Sequence, residues 1–200
     1  MEIKELDKRD WNKVIQYAIK GMHFDEYLKS DFLLKAYGRY FWYLEYTNAT
    51  QVITAYEGEE LLGVLVADIK NEPKPNKSFF KGIYIGLVDF IQKVFFSGGV
   101  LPYNDANKEM FANYTKKYSP DGEIRFLAAN PDSKTKGVGT FLLNELAKRE
   151  QGKEIYLFTD TNCTYQFYEK RGFERIGEKE IVLELSGDVD LKCLLYRKQL

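Results

Sequence analysis

The chain has 200 residues, 44% of them hydrophobic and 30% charged, which is enough to bury the core of one ordinary domain and is not a disordered composition. Lysine and arginine number 29 against 30 aspartates and glutamates, which excludes a protein that grips nucleic acid through an overall basic field. Two distant cysteines, Cys163 and Cys193, have no C-x-x-C spacing and indicate neither a disulfide framework nor a metal site.

In chain order, Ile3 to Leu6 reads as a short first strand. Asp7 can cap a helix whose apolar positions Trp11, Val14, Ile15, Ala18 and Ile19 share one face. No apolar signal core follows Met1, so a cytoplasmic protein is expected. A second helical stretch, Phe32 to Glu45, is rich in aromatics, most of which should pack in the core. Gln51 to Tyr56 and Leu61 to Ile69 are β-rich runs joined by "EGEE", a hairpin in which Gly58 supplies the turn. After a proline-broken loop, Asn71 to Lys77, two helices are predicted over Ile83–Phe96 and Asp105–Tyr118, separated by the turn "SGGVLPYND". The first is too short to span a bilayer and is interrupted by Asp89, Gln92 and Lys93, so a buried helix and no membrane partner are expected.

Gly122 to Pro131, "GEIRFLAANP", reads as a buried strand stopped by proline. A glycine turn follows, then a helix from about Gly137 to Glu150, the strand Glu154–Phe158 and a short helix ending at Gly172. Strands near Phe173–Glu184 and Asp190–Arg197 close a mixed α/β domain with one parallel crossover.

The glycine turn carries chemistry. The first turn of a helix leaves amide groups without intrahelical partners and a partial positive charge. Gly137 and Gly139 remove Cβ atoms that would hold a phosphate away, while Lys134 and Lys136 add charge, so this is an anion cradle suited to a diphosphate. A Walker A loop is absent, and Leu142 stands where a dinucleotide fingerprint needs its third glycine.

The pattern K-x-x-G-x-G after a central strand resembles the pyrophosphate loop of the GCN5-related N-acetyltransferase (GNAT) superfamily, with Lys134 where Gln or Arg is usual. Downstream, "TNCTYQFYEKRGFERIGE" resembles that superfamily's second signature in Asn162, Phe167, Tyr168, Gly172 and Phe173. Tyr165 departs from it, standing where a small residue is common. The likeness covers about residues 120–180.

The resemblance implies a largely antiparallel central sheet with one splayed parallel strand pair, flanked by helices. It divides a single domain into N-terminal helices and hairpin (1–70), a helical insertion (71–121) and an acyl-CoA-binding core (122–200). The implied activity is transfer of an acetyl group from acetyl-CoA to a primary amine of a small molecule or peptide by direct attack. A non-catalytic acyl-CoA-binding module with the same fold is the alternative. Leu127, Ala128 and Ala129 would meet the pantetheine amides, and the Leu127 N–H would receive the developing oxygen charge. The amides of Lys134, Thr135, Lys136, Gly137, Val138, Gly139 and Thr140 would take the pyrophosphate, with Asn162 and Tyr165 lining the pantetheine end.

Tyr168 is the implied acid for the departing thiolate. Glu123, 14 residues before Gly137, is the candidate base, although it could instead pair with Arg125. Cys163, near the implied thioester, has no base partner in sequence, and the lone His23 reads as a loop or helix-edge residue. A homodimer through the last strands is compatible with the sequence without being required by it.

Overall fold

The computed structural model describes residues 1–28, 30–95, 97–184 and 188–200. After strand β1 (Glu2–Lys4), Asp7 caps a short turn of 3-10 helix by accepting the Arg9 amide, and helix α1 (Trp11–Gly21) follows. Its Val14, Ile15, Ala18 and Ile19 are buried, as the spacing predicts. The short α2 (Phe24–Tyr27) leads into α3 (Asp31–Asn48). Strands β2 (Gln51–Glu57) and β3 (Glu60–Ile69) form the expected hairpin, with Gly58 at φ +58°.

Two helices fill the insertion, α4 (Phe79–Phe95) and α5 (Ser97–Thr115), and both depart from expectation. The predicted turn "SGGVLPYND" is helical from Ser97, with Pro102 inside. Pro102 is the sixth residue of α5, past the first turn, so it forfeits an intrahelical bond and its ring crowds the turn before it. Phe96, the expected end of the first insertion helix, lies outside the described residues. The first part of α4 is not buried: Ile83 and Leu87 are more than half exposed, while Tyr84 and Asp89 bond to α3. Among the described residues, no helix is long and apolar enough to cross a membrane.

The core of the fold is β4 (Gly122–Ala129), α6 (Val138–Arg149), β5 (Glu154–Asp160), α7 (Gln166–Glu169), β6 (Glu174–Glu184) and β7 (Asp188–Gln199). The described strands form one seven-stranded sheet in the order β1-β2-β3-β4-β5-β7-β6. Every pairing is antiparallel except β4 with β5. That parallel pair holds only at Gly122 with Ile155 and Glu123 with Tyr156. Beyond these residues the two strands part.

Helix α6 covers one face of the sheet. Leu142 and Leu146 are fully buried there against Ile53, Leu62, Leu65, Leu157 and Leu194, and each such leucine stabilises the fold by roughly 2 kcal/mol. On the other face α1 and α3 cover β3 and β4, and α5 covers β7 through Ala106, Met110 and Tyr114. The aromatics of α3 mostly pack on each other and on α1. Trp42 is fully buried, 6.2 Å from Trp11, and Phe41 lies against Phe126 of β4.

A bulge in β4 sets the site. Val66 of β3 pairs with Phe126 and Ala67 with Ile124, leaving Arg125 as the extra residue. Ile124 points into the α6 core, Phe126 and Ala128 into the α1–α3 core, and Leu127 packs back against the α6 side. The strand therefore bends where it leaves β5.

Candidate active site

Gly137 precedes α6 with φ +80°, a left-handed conformation that side chains resist. The turn it makes presents the start of α6. Among the described residues, the amides of Lys134, Lys136, Gly137, Val138, Gly139 and Thr140 have no acceptor within the protein; the first bond of the helix is the Phe141 amide to the Gly137 carbonyl. Thr135 corrects the expectation for this loop. Its amide is taken by Ser133 Oγ at 3.1 Å, and its hydroxyl donates to Glu57. Serine two residues back offers a local acceptor that closes a tight turn, so this N–H is spent.

Gly139 also serves packing: a Cβ there would lie 2.8 Å from the Phe167 ring of α7. Val138 buries its side chain in the core and leaves only its backbone to the loop. Lys134 and Lys136 are exposed and have no carboxylate partner among the described residues.

Arg171, which sequence reasoning missed, joins these two cations. Its guanidinium donates to Thr140 Oγ1 through two nitrogens and to the Phe167 carbonyl at 3.0 Å, and it stacks 3.7 Å from the Phe167 ring centre. Among the described residues it too has no carboxylate partner. The signal was present as a cation directly before the Gly172–Phe173 pair, but its reach to α6 depends on how α7 folds back.

Orphan amides, a positive-φ glycine and three uncompensated cations fit a diphosphate in chemistry and in charge sign. Leu127, Tyr165, Phe167 and Tyr168 all pack against the α6-side core, so the strand, the loop and α7 are brought together. Tyr165 starts α7 beneath Arg175, 5.4 Å from its ring, and Ala128 and Ala129 pair with Val64 and Gly63 of β3. The Asn162 amide is held by Asp160 Oδ1 at 2.9 Å.

Tyr168 lies against Phe167, Phe173 and Tyr196, and its hydroxyl bonds to no described residue. Burial, with a smaller push from Cys163, raises its pKa, so at neutral pH it carries a proton to give. Burial and Asp160 push the Cys163 thiol up to about 12, which disfavours the thiolate, and Sγ faces the Gly21 carbonyl at 3.8 Å. His23 sits at φ 54° before α2, beside Glu26.

Glu123 stands on the opposite face of the sheet from Tyr168, and the two make no contact. Arg125 donates to Glu123 Oε2 at 3.2 Å and the Tyr156 hydroxyl donates to the same oxygen at 3.3 Å. Oε1 accepts nothing from the described residues. Burial raises the pKa of Glu123 despite Arg125. Arg125 is bound more firmly to Glu45 of α3, at 2.6 Å from Nε and 3.4 Å from Nη2. Sequence reasoning missed Glu45; its one signal was a charge three residues after Trp42, on the face of α3 that is buried.

A family model described as an acetyltransferase (GNAT) domain matches residues 101–175. The chain has the GNAT fold. A protein described as histone acetyltransferase HPA2 and related acetyltransferase, from Corynebacterium glutamicum, superposes with a TM-score of 0.58 at 20% identity, covering 98% of this chain and 94% of its own. The polyamine N-acetyltransferase of Drosophila melanogaster gives 0.57 at 13%, covering 100% and 99%. The PaiA N-acetyltransferase of Thermoplasma acidophilum, in complex with coenzyme A, gives 0.53 at 15%, covering 100% and 98%. No curated protein sequence matches the chain. The GNAT acyl donor is acetyl-CoA, and the PaiA structure holds coenzyme A.

Proposed function

We propose that this protein is an N-acetyltransferase that moves an acetyl group from acetyl-CoA to a primary amine of a small molecule or peptide. The observation that carries the reading is the row of orphan amides at the start of α6, next to a parallel strand pair that parts after two residues. Acetyl-CoA supplies an activated thioester carbonyl and a thiolate leaving group.

In this reading the amides of Lys136 to Thr140, with Lys134, Lys136 and Arg171, hold the diphosphate. Leu127, Ala128 and Ala129 offer the edge of β4 exposed by the splay, and the Leu127 N–H stabilises charge on the carbonyl oxygen. Asn162 and Tyr165 border the same channel from the β5 end. Glu123 Oε1 takes a proton from the incoming ammonium, and Tyr168 gives one to the departing sulfur. Burial raises both pKa values, which makes Glu123 a stronger base and keeps the Tyr168 hydroxyl protonated at neutral pH.

Free-thiol release from acetyl-CoA across a panel of primary amines tests the reading. Tyr168→Phe is expected to lower kcat by about a hundredfold while leaving acetyl-CoA affinity unchanged. Equal turnover in both proteins would remove Tyr168 from the chemistry. Tight binding of coenzyme A with no turnover on any amine would overturn the activity itself.

A further inference from the structure

The arrangement around Arg125 is asymmetric. One guanidinium faces two carboxylates from two different elements, and it gives Glu45 of α3 two bonds but Glu123 of β4 only one. Glu45 is the more deeply buried, with 8% of its side chain exposed against 20% for Glu123. Arg125 is also the bulged residue of β4, so its backbone is fixed and its side chain can only divide its donors between the two acids.

We propose that Glu45 is a positioning residue for Glu123: by holding Arg125 in a two-point bond, it keeps that cation from closing on Glu123 and so preserves the carboxylate as a base. The proposal rests on the reading of Glu123 as the base.

An arginine free to pair with Glu123 through both nitrogens would stabilise its ionised form and weaken it as a proton acceptor. The present geometry leaves Glu123 Oε1 open. The other charged or titratable groups facing Glu123 are Asp68 of β3, Lys74 of the following loop and Tyr156 of β5, and Lys74 is itself paired with Asp68 at 2.6 Å. Glu45 is faced by Arg125, Glu123 and Asp68, and its charge is felt by Tyr37 and Tyr40 on its own helix. Of the two described cations that act on Glu123, Lys74 is committed to Asp68, and Arg125 is shared with Glu45. Burial raises both carboxylates, Arg125 lies between them, and the charge of Glu123 is felt by Glu45.

The test needs no acceptor. Protein labelled with carboxyl-13C glutamate is titrated by NMR, the Glu123 signal being assigned by its loss in Glu123→Gln. Glu45→Gln, nearly isosteric, is expected to lower the Glu123 midpoint by about one unit, the low end of what an opposite charge at contact does. Arg125→Met is expected to raise it. A Glu123 midpoint that is unchanged or higher in a folded Glu45→Gln protein would overturn the proposal.

Kinetics then separate this proposal from the reading beneath it. With the fastest amine of the panel, the acid limb of kcat/KM should move to lower pH in Glu45→Gln and its plateau should fall about tenfold, with KM for acetyl-CoA unchanged. If Glu123→Gln keeps the full rate and the same profile, the base assignment fails. If Glu123→Gln loses the rate while Glu45→Gln keeps the wild-type limb, only the positioning role fails.

Discussion

Gly137 and Gly139 stand two residues apart in one loop and are required for different reasons. At Gly137 the backbone sits at φ +80° with open space where a Cβ would go, so the constraint is conformational. Gly137→Glu should abolish coenzyme A binding, since a carboxylate would be set among the donors meant for phosphate; unchanged affinity by calorimetry would refute the placement. At Gly139 the constraint is the Phe167 ring. Gly139→Ala should cost about 1–3 kcal/mol by overpacking and should displace α7 with Tyr168, so that turnover falls further than coenzyme affinity. Arg171→Met should weaken coenzyme A binding by calorimetry and also lower the melting temperature of the free protein modestly, because it removes the bonds to Thr140 and the Phe167 carbonyl together with the cation.

At the scale of elements, β4 and the loop after it do most of the positioning, and the support extends to β3. A Cβ on Gly63 would meet Val138 Cγ1 at 2.7 Å and the Ala128 carbonyl at 2.8 Å, so β3, β4 and α6 come together at a point with no room for a methyl group. Gly63→Ala should therefore lower the melting temperature and loosen coenzyme binding together, a pairing that calorimetry on free and ligand-bound protein would reveal. These elements were legible in the sequence because their signals are local. "EGEE" with Gly58 marks the hairpin, the apolar run before Pro131 marks β4, and the glycines mark the start of α6. The arrangement of the insertion was not. Glycines and a proline suggested a turn where α5 begins, and the apolar content of α4 suggested burial that its packing on α3 does not give to Ile83 and Leu87. The Glu45–Arg125 bond spans 80 residues of sequence and no local pattern announces it. In the same way Arg171 acquires its partner Thr140 only when the strand between them folds back.

Across the whole molecule, the buried acids make stability depend on pH. Glu45 is pushed up to about 7 by burial, which outweighs the pull of Arg125. The folded state therefore holds this proton more tightly than the unfolded chain, and the stability it contributes is lost as pH rises from the ordinary carboxylate range to about 7. Asp10 and Glu150, whose pKa values are lowered by Lys13 and Lys153 against the cost of burial, act in the opposite sense and lose their contribution as pH falls below that range. Glu45→Gln should remove its share of the decline between about pH 4.5 and pH 7. Two melting-temperature curves that run parallel across that interval would contradict this.

The parting of β4 from β5 has a mechanical consequence. Four strands on one side and three on the other are stitched by two residue pairs at a single end, so the sheet is a pair of leaves on a short hinge, with α6 as the spine across their back. A ligand whose amides continued the missing rungs would turn a hinged sheet into a continuous one, and an acyl donor seated there would act as a structural strut for as long as it stayed bound.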